Sequence, residues 1–595
     1  MLHYGLSELD YLDLNKGSRS LDLSGCRKTL KLALLSDSAP QYLTPLFKTL
    51  LAKNGVRAEI YEASYDTMEL EILDPGSGLH AFRPDTVVIL PSVQALRDRY
   101  NHFSGDKTLF AEEQAERFTS LWKKLRAFSG ASVIQGDYVL PNEKLFGNYE
   151  DKAANSFYHT VVSLNRALRQ AARPLNHVFI SDIDHVAAYH GRRHWLDEKM
   201  WILCKAFCAF EFLPHAVQNI VDTLLSLAGE GVKCIVLDLD NTLWGGIIGD
   251  DGLEGIRIGH FEDGEAFQNF QYHLLALKDR GILLAVCSKN DLETALRPFR
   301  EHPEMVLREK DIAVFVANWS SKAENIRTIS RMLNIGCGSM AFIDDNLFER
   351  GVVRDAIPEM IVPELPDDPA DYVRCLTELN LFETTAISAL DTDRAELYRI
   401  ESRRKLGQVQ FEDPKAYLES LEMTMTCGRF DPFHLPRIAQ LLQRSNQFNL
   451  LTRRYAESQC EAFMKDEQNW FPMYLSLKDK YGDNGLISAV IARFDSEAMN
   501  IEEWVMSCRV LARGVEQYAM NTLFEEAAKR GVRKIRARYE PTEKNGMVRD
   551  LYERLGFRRT GGSGDGPVDW EIDAADYRPQ SHFIRTAHTL PGESV

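Results

Sequence analysis

The sequence predicts a multidomain α/β protein, because the chain is long and because strands alternate with helices in two separate stretches. At 595 residues it is too long for one hydrophobic core, since domains of about 150 residues are typical. The alternation in the first third, and again after residue 232, favours mostly parallel sheets. The last third mixes antiparallel-looking strands with helices, which is typical of an α+β domain.

In the first third, short apolar runs such as LKLALLSD (30–37) and DTVVILPS (85–92) are separated by helical segments. A long helical run over 195–231 then ends at glycines and leads into the next unit. That unit repeats the alternation, with buried strands predicted in KCIVLDLD, ILLAVCSKND and SMAFIDDN. Polar clusters follow each of these strands, at the sheet edge where α/β proteins bind ligands.

Composition and charge argue against some classes of function. The formal net charge of -17 argues against a general nucleic-acid binder, because affinity for phosphate backbones requires clustered Lys and Arg. No run of 18 apolar residues and no basic leader with an apolar stretch is present, so we expect a cytoplasmic protein that is not a membrane protein. The ten cysteines are scattered, so a cysteine that matters is expected to act as a thiol.

The segment VLDLDNTLWGG (236–246) contains the clearest candidates for catalytic residues. Residues i and i+2 of a strand share one face, so Asp238 and Asp240 project together where the strand ends. One carboxylate can attack phosphorus while the other handles protons. Because two adjacent acids repel, a hard divalent cation, most naturally Mg²⁺, is expected beside them.

These motifs resemble the haloacid dehalogenase (HAD) superfamily, which combines DxDxT with a later Ser or Thr, a Lys and an acidic pair. The resemblance implies Asp238 as nucleophile, Asp240 as acid/base, and Ser288 and Lys322 as phosphate and charge stabilisers. It further implies metal ligands at Asp238, Asp240, Asp344 and Asp345, and substrate or phosphate contacts at Thr242 and Asn290.

Motif spacing adds a prediction about access to this site. About 50 residues separate Asp238 from Ser288 and about 34 separate Ser288 from Lys322, which leaves no room for a separate cap domain. The site is therefore expected to be open to a large substrate, or to be closed by another domain of the chain. WGGIIGDDG, directly after the nucleophile, suits a tight hairpin flap.

In the C-terminal third, RVLARGVE and PTEKNGMVRDLYERLGF resemble the GNAT acyltransferase fold. A strand there passes through a turn into a helix, and such a turn forms an anion site. The resemblance implies binding of a pantetheine thioester. The pantetheine-binding candidates are Arg509, Arg513, Gly514, Val515 and Asn545.

Two further features of this chain are candidates for function. Cys508 lies on the strand that feeds the turn and is the preferred acyl-carrying thiol, with Cys287 beside Ser288 as the alternative. The polar segment at 443–458 offers Asn446, Asn449 and Arg453 for a carboxylate or phosphate. The alternative for that segment is a capping and loop role.

Together with VCSKND, RSNQFNLLTRR, LKDKYGDNG and YEPTEKN, these motifs resemble the FkbH-like family over most of the chain. The N-terminal third is similar to an SGNH-hydrolase-like fold, in which Ser36 and Asp184-His185 are the only weak candidates for a triad, so we expect a non-catalytic domain. The expected domains are 1–225 (SGNH-like), 226–370 (HAD-like), 371–420 (helical linker), 421–580 (GNAT-like) and 581–595 (flexible tail).

The resemblance implies a bifunctional glyceryltransferase and phosphatase. Such an enzyme takes the phosphorylated glycolytic metabolite D-1,3-bisphosphoglycerate, removes phosphate, and passes the glyceryl group through an enzyme thioester. The acceptor is the phosphopantetheine thiol of an acyl carrier protein, in polyketide or related secondary-metabolite biosynthesis. The alternatives are a Mg²⁺-dependent small-molecule phosphatase, an acyltransferase of surface-polysaccharide biosynthesis, and a non-catalytic carrier-protein adaptor.

Overall fold

The computed structural model divides the chain into two compact units, residues 1–395 and 396–595. None of the described helices is long and apolar enough to cross a membrane. The structure describes residues 9–26, 28–229, 231–260, 262–385, 413–445, 447–453, 455, 457–507, 510–542, 545–562 and 566–588.

The first unit begins with a five-stranded parallel sheet in the order β2-β1-β3-β4-β5. All five residues of β3 are buried, as expected for a strand between two layers of helices. The strands are β1 (Lys28–Ser36), β2 (Val56–Glu62), β3 (Thr86–Leu90), β4 (Ser132–Gly136) and β5 (Val178–Ser181). The helices are α1 (Tyr11–Gly17), α2 (Thr44–Lys53), α3 (Met68–Leu73), α4 (Gly78–Phe82), α5 (Val93–His102), α6 (Phe110–Ser129), α7 (Phe157–Ala172), α8 (Ile183–His190), α9 (Arg192–Trp195), α10 (Glu198–Cys204) and α11 (Leu213–Leu227).

The two weak triad candidates of this sheet have structural partners. The buried Ser36 hydroxyl donates to the carbonyl of Leu90 at 2.7 Å. The Asp184 carboxylate accepts two hydrogen bonds from Arg192, both 2.8 Å long, and one from the backbone N–H of Leu140. Each of these side chains is therefore held by hydrogen bonds within its own domain.

The same unit contains a second parallel sheet, of four strands in the order β8-β7-β6-β9. The chain runs from β6 to β7 and β8 on one side and returns to β9 on the other, so the strand order reverses between β6 and β9. Ligands bind at such a switch point. The elements are β6 (Cys234–Leu237), α12 (Ile248–Gly255), α13 (Gly264–Asp279), β7 (Leu283–Ser288), α14 (Leu292–Glu301), β8 (Val314–Ala317), α15 (Lys322–Leu333), β9 (Met340–Ile343), α16 (Leu347–Ala356) and α17 (Tyr372–Glu378).

The expected helical linker over 371–420 is only partly a linker. Helix α17 packs into the core of the second sheet through Tyr372 and Leu376, which join Phe267 and Phe270 of α13. Apolar burial therefore makes α17 part of this domain. Residues 386–412 lie outside the described residues.

The C-terminal unit is a mixed sheet flanked by helices, and the chain as a whole is the multidomain α/β protein that the sequence predicts. Its strand path is β16-β17-β15-β14-β13-β12-β10-β18, with β11 paired to β14. The elements are α18 (Pro414–Ser420), β10 (Met423–Arg429), α19 (Leu435–Arg444), β11 (Phe448–Asn449), α20 (Glu457–Lys465), β12 (Trp470–Asp479), β13 (Gly482–Phe494), β14 (Ala498–Met506), α21 (Val515–Lys529), β15 (Lys534–Tyr539), α22 (Leu551–Arg554), β16 (Arg558–Gly561), β17 (Val568–Asp573) and β18 (Ile584–His588).

The expectation of a flexible tail over 581–595 is wrong for its first part. Strand β18 pairs in parallel with β10, beginning with Ile584 opposite Met423. Ile584 is buried in the core of the unit, so apolar burial adds to the hydrogen bonds of the pairing. Residues 589–595 lie outside the described residues.

Candidate active site

Asp238 lies at the switch point of the four-stranded sheet. It directly follows β6, whose four residues are fully buried, and its backbone N–H donates to the carbonyl of Ile343 at 2.9 Å. Only 10% of its side chain is exposed. The apolar strand thus fixes the carboxylate in a recess at the carboxyl edge of the sheet.

Lys322, the first residue of α15, links two of the predicted acids. Its ammonium nitrogen lies 3.0 Å from Asp238 Oδ2 and 2.5 Å from Asp344 Oδ2. Burial alone acts to lower the pKa of Lys322, but the two carboxylates outweigh it and raise that pKa. Lys322 is therefore a fixed positive charge beside the nucleophile.

Three carboxylates converge at this point. Among the described residues, Asp238, Asp344 and Asp345 offer oxygen atoms that all lie within 4.8 Å of one another. Burial, and after it the neighbouring Asp344, raise the pKa of Asp345. Because one lysine cannot balance three carboxylates, the donor set fits a hard divalent cation with oxygen ligands.

The side chain of Asp240 lies outside this cluster of carboxylates, and its predicted role as a metal ligand stays a prediction. Its Oδ1 accepts hydrogen bonds from the indole N–H of Trp244 and the backbone N–H of Ile248, each 3.0 Å long. Its Oδ2 accepts a 2.8 Å hydrogen bond from the side-chain amide of Asn290. These donors hold the carboxylate at the edge of the site, in a position that fits proton transfer better than coordination.

Ser288 and Asn290 are brought to the same place. Asn290 Nδ2 lies 3.2 Å from Ser288 Oγ as well as 2.8 Å from Asp240, so the amide joins the ends of β6 and β7. Both side chains are buried. Ser288 and Asn290 therefore lie close to the acids in the structure, as the sequence predicts.

Thr242 has a different position from the one expected of a phosphate contact. Its hydroxyl is fully buried, donates to Asp345 Oδ1 at 3.3 Å and accepts the backbone N–H of Asp345 at 3.2 Å. Thr242 therefore positions the acidic loop after β9 rather than contacting substrate.

Three residues that sequence reasoning missed support the site. Trp244 bonds to Asp240 as described, and the buried Arg350 donates to the backbone carbonyls of Asp344 and Asp345 at 2.8 and 2.7 Å. Tyr372 donates from its hydroxyl to the carbonyl of Asn241 at 3.1 Å. The feature of the sequence that could have indicated Arg350 is its position in the helix that directly follows the acidic pair.

The segment after the nucleophile is not the tight hairpin that was expected. Gly245 and Arg257 exchange two backbone hydrogen bonds, of 2.9 and 2.8 Å, and the chain between them contains α12. A Cβ on Gly245 would lie 2.7 Å from Arg257 Nη2, so a side chain there would disturb this closure. The described residues between β6 and β7 form only α12 and α13, without a separate cap.

Cys287, the alternative thiol, is not accessible. Its side chain is fully buried, and its sulfur faces the backbone carbonyl of Lys322 at 3.7 Å. Burial raises the pKa of this thiol to about 12. Because the thiolate is the reactive form, the structure argues against Cys287 as the acyl carrier.

Several candidates of the C-terminal unit have structural roles instead of binding roles. Asn545 is fully buried, and its amide donates to the carbonyls of Asn449 and Glu540 at 2.9 and 2.8 Å. The side chain of Asn449 bonds to the backbone of Ser445 and Thr452. Both amides are thus occupied, which corrects their prediction as pantetheine and phosphate contacts.

The charged candidates are also paired. The Arg453 guanidinium bonds to Glu502 at 2.5 Å, and Arg513 is buried with Nη1 3.4 Å from Asp479 Oδ2. Gly514, with φ of 84°, caps α21, and Val515 is fully buried in the first turn of that helix. Asn446, Cys508 and Arg509 lie outside the described residues, so their predicted roles stay predictions.

The polar segment around β11 covers one edge of β14. Phe448 and Asn449 pair with Met506 and Val505, and Leu450 donates to the carbonyl of Trp504. Farther back along the same edge, β15 pairs with residues 498–501. Within the described part of β14, residues 498–501 and 504–506 are therefore already paired on this side.

Comparison with known proteins agrees with this fold. A family model described as FkbH, N-terminal domain, matches residues 31–225. The crystal structure of the N-terminal part of protein BF1531 from Bacteroides fragilis, containing a phosphatase domain complexed with Mg, is 38% identical, covering 64% of this chain and 100% of that one with a TM-score of 0.60. No curated protein sequence matches the chain.

A further match covers a smaller part of the chain. The ribosomal-protein-S18-alanine N-acetyltransferase from Escherichia coli is 15% identical, with 25% of this chain and 94% of that one covered and a TM-score of 0.21. A likeness at this score carries no argument about function.

The parallel sheet with Asp238, Lys322 and the acidic pair at its switch point defines a phosphatase-like domain of the HAD superfamily. With the N-terminal family match and full coverage of the Bacteroides fragilis structure, the chain belongs to the FkbH-like family.

Proposed function

We propose that this protein transfers a glyceryl group from D-1,3-bisphosphoglycerate to the phosphopantetheine thiol of an acyl carrier protein and removes the remaining phosphate at the Asp238 site. The observation that carries the phosphoryl step is the buried contact of Lys322 with both Asp238 and Asp344. A fixed cation beside a recessed carboxylate stabilises negative charge that develops on a transferring phosphoryl group.

The Asp238 carboxylate attacks phosphorus, and the bond from phosphorus to the leaving oxygen breaks while Asp240 donates a proton to that oxygen. A water molecule then attacks the aspartyl-phosphate, Asp240 accepts its proton, and inorganic phosphate leaves. Ser288 and Asn290 lie where they can bind phosphoryl oxygens. Asp238, Asp344 and Asp345 would hold Mg²⁺, which when bound supplies positive charge that neutralises the carboxylates and the phosphate.

The transfer step uses the thiol of Cys508. Its thiolate attacks the acyl-phosphate carbonyl, and phosphate leaves as the thioester forms; the carrier thiolate then attacks this thioester and releases Cys508. Support for Cys508 over Cys287 comes from the complete burial of the Cys287 side chain.

Intact-mass spectrometry of the carrier tests this proposal. After incubation with Mg²⁺, 1,3-bisphosphoglycerate generated in place and a holo acyl carrier protein, we expect a glyceryl adduct on the carrier. The Asp238→Asn variant should leave an adduct that is heavier by one phosphate, and Cys508→Ala should give none. Cys287→Ala and the exposed Asp279→Asn serve as controls that keep the wild-type product.

Two outcomes would contradict the proposal in different ways. Phosphate release without any carrier adduct would favour a small-molecule phosphatase. An adduct that persists in Cys508→Ala and disappears in Cys287→Ala would make the thiol assignment wrong.

A further inference from the structure

A groove in the domain of the five-stranded sheet shares none of its lining residues with the phosphoryl site. It has a volume of about 470 Å³ and is lined by one face of α7, by the loop after β4 and by Asp184 in the first turn of α8. That volume lies within the range of about 300–1,000 Å³ that is typical of small-molecule sites. Because Asp137 in its lining directly follows β4, the groove lies at the carboxyl edge of the sheet, where α/β proteins bind ligands.

Three arginines dominate the wall that α7 contributes to this groove. Arg166 and Arg169 lie three residues apart, and Arg173 follows four residues later, directly after the helix. This spacing places all three on one helical face, where like charges one turn apart destabilise a helix. The row of arginines therefore opposes folding of the free helix, and an anion bound between the guanidinium groups would remove that repulsion.

Arg169 is the fixed member of the row. Its Nη2 bonds to the carboxylate of Asp137 and lies 2.9 Å from Asp182 Oδ1. The Asp137 side chain is fully buried, and its other oxygen accepts the backbone N–H of Asp184 at 3.0 Å. A guanidinium that is already held in place loses little side-chain entropy when it binds an anion.

The other two arginines have no such partners. Within the described part of the chain, the side chains of Arg166 and Arg173 are exposed and make neither a hydrogen bond nor an ion pair with another residue. The three acids in and beside the groove are already paired with Arg169 or Arg192. Four arginines thus face three acids, which leaves the groove positively charged on a chain whose formal net charge is -17.

The lining indicates the class of anion. Guanidinium groups bind phosphate oxygens through paired N–H donors. Because the three arginines extend over two helical turns, or about 10 Å of helix axis, they can contact more than one anionic group. Val162, one turn before Arg166, and Leu140 add apolar surface, and an inorganic ion would leave most of the volume empty. The ligand therefore has an organic part as well as its anionic groups.

We propose that this groove binds an organic diphosphate, with its phosphates at the arginines of α7 and its organic part against Leu140 and Val162. Among the described residues that line the groove, none is a serine, cysteine, histidine or lysine, and both acids are bonded to arginines. The groove therefore has a binding role and not a catalytic one. It is independent of the proposed glyceryl transfer, which uses other residues.

Isothermal titration calorimetry of the full chain tests this proposal, with ADP, AMP, adenosine and pyrophosphate as probes and with EDTA present to prevent phosphoryl transfer. We expect ADP to bind most tightly. The double variant Arg166→Gln/Arg173→Gln should raise the Kd for ADP about tenfold or more, because it removes two charged donors. Arg19→Gln/Arg57→Gln removes two other exposed arginines from the same domain and should leave that Kd unchanged.

Two further measurements locate the bound probe and check folding. Labelling of arginines with phenylglyoxal, followed by peptide mass spectrometry, should show that ADP protects Arg166 and Arg173 and leaves Arg19 and Arg57 reactive. The two double variants should have equal Tm values without a ligand. ADP should then raise the Tm of the Arg19→Gln/Arg57→Gln variant alone, since only a protein that binds the ligand is stabilised by it.

Other results would overturn the inference. An ADP signal that Arg166→Gln/Arg173→Gln keeps and Asp238→Asn loses would assign the nucleotide to the phosphoryl site instead. Pyrophosphate bound as tightly as ADP would contradict a role for the organic part. A wild-type protein that binds neither ADP nor pyrophosphate would show that the groove is not a diphosphate site.

Discussion

The ammonium group of Lys322 lies 3.0 Å from the carboxylate of Asp238, and both side chains are buried. The same nitrogen also contacts Asp344. Removal of one partner from a buried ion pair leaves uncompensated charge, which costs about 3–5 kcal/mol. Lys322 therefore has a structural role as well as a role in phosphoryl transfer.

Replacement of Lys322 by Met should abolish phosphatase activity and lower the Tm of the full chain by about 10 °C, since the two acids lose their counter-charge. Added Mg²⁺ should recover part of the Tm, but not the activity. Lys289→Met is the matched control, because Lys289 pairs with Glu349 at a half-exposed position and its loss should cost less than about 1 kcal/mol. An unchanged Tm in Lys322→Met would contradict the buried pairing.

Trp244 offers a test of the acid/base assignment. Trp244→Phe keeps an aromatic ring in the core but removes the N–H that donates to Asp240, so the carboxylate loses one of its three donors. We expect kcat for p-nitrophenyl phosphate to fall about tenfold with little change in KM, since positioning of a general acid is worth about 10²- to 10⁴-fold in total. A changed KM with an unchanged kcat would assign Trp244 to substrate binding instead.

The sequence is sufficient to predict the acids and the lysine of this site, because strand ends and motif order place them at one sheet edge. It is not sufficient to predict what the individual side chains contact. Asp240 is two residues from Asp238, yet donors from Trp244 and Asn290 hold its carboxylate outside the acidic cluster. Such contacts depend on tertiary packing, which local spacing does not contain.

The same limit explains why several predictions for the C-terminal unit differ from its structure. Asn449 and Asn545 are 96 residues apart in sequence, and no local pattern indicates that the amide of one bonds to the backbone of the other. Strand β18 was likewise missed because its pairing with β10 joins the two ends of the unit. Long-range pairing of this kind depends on the completed fold.

Asn545→Ala should destabilise the C-terminal unit without affecting affinity for the carrier. The substitution removes two hydrogen bonds to carbonyls and two acceptor contacts, with Thr542 N–H and the Tyr539 hydroxyl, all from a fully buried site. Each buried group left unpaired costs about 1–3 kcal/mol, so a clear fall in Tm is expected. A raised KM for the holo carrier with an unchanged Tm would instead support the original pantetheine assignment.

Asp222 of α11 provides a test of pH dependence. Its buried carboxylate accepts hydrogen bonds from Gln218 at 2.7 Å and from Asn380 at 2.9 Å. Burial, only partly opposed by these two amides, raises the pKa of Asp222 from 3.8 to about 7. Asn380 lies beyond α17, so this contact joins α11 of the five-stranded-sheet domain to the chain that follows the HAD-like domain.

The sign of the effect follows from proton linkage. Because the folded-state pKa is higher than the unfolded value, the folded state binds the proton more tightly. The contribution of Asp222 to stability is complete below about pH 4 and is lost as the pH rises through about 7. Asn at this position stays neutral, so the Tm of Asp222→Asn relative to wild type should be higher at pH 8 than at pH 5, with exposed Asp279→Asn as the control. Parallel Tm profiles of wild type and Asp222→Asn across this range would show that the carboxyl keeps an ordinary pKa despite its burial.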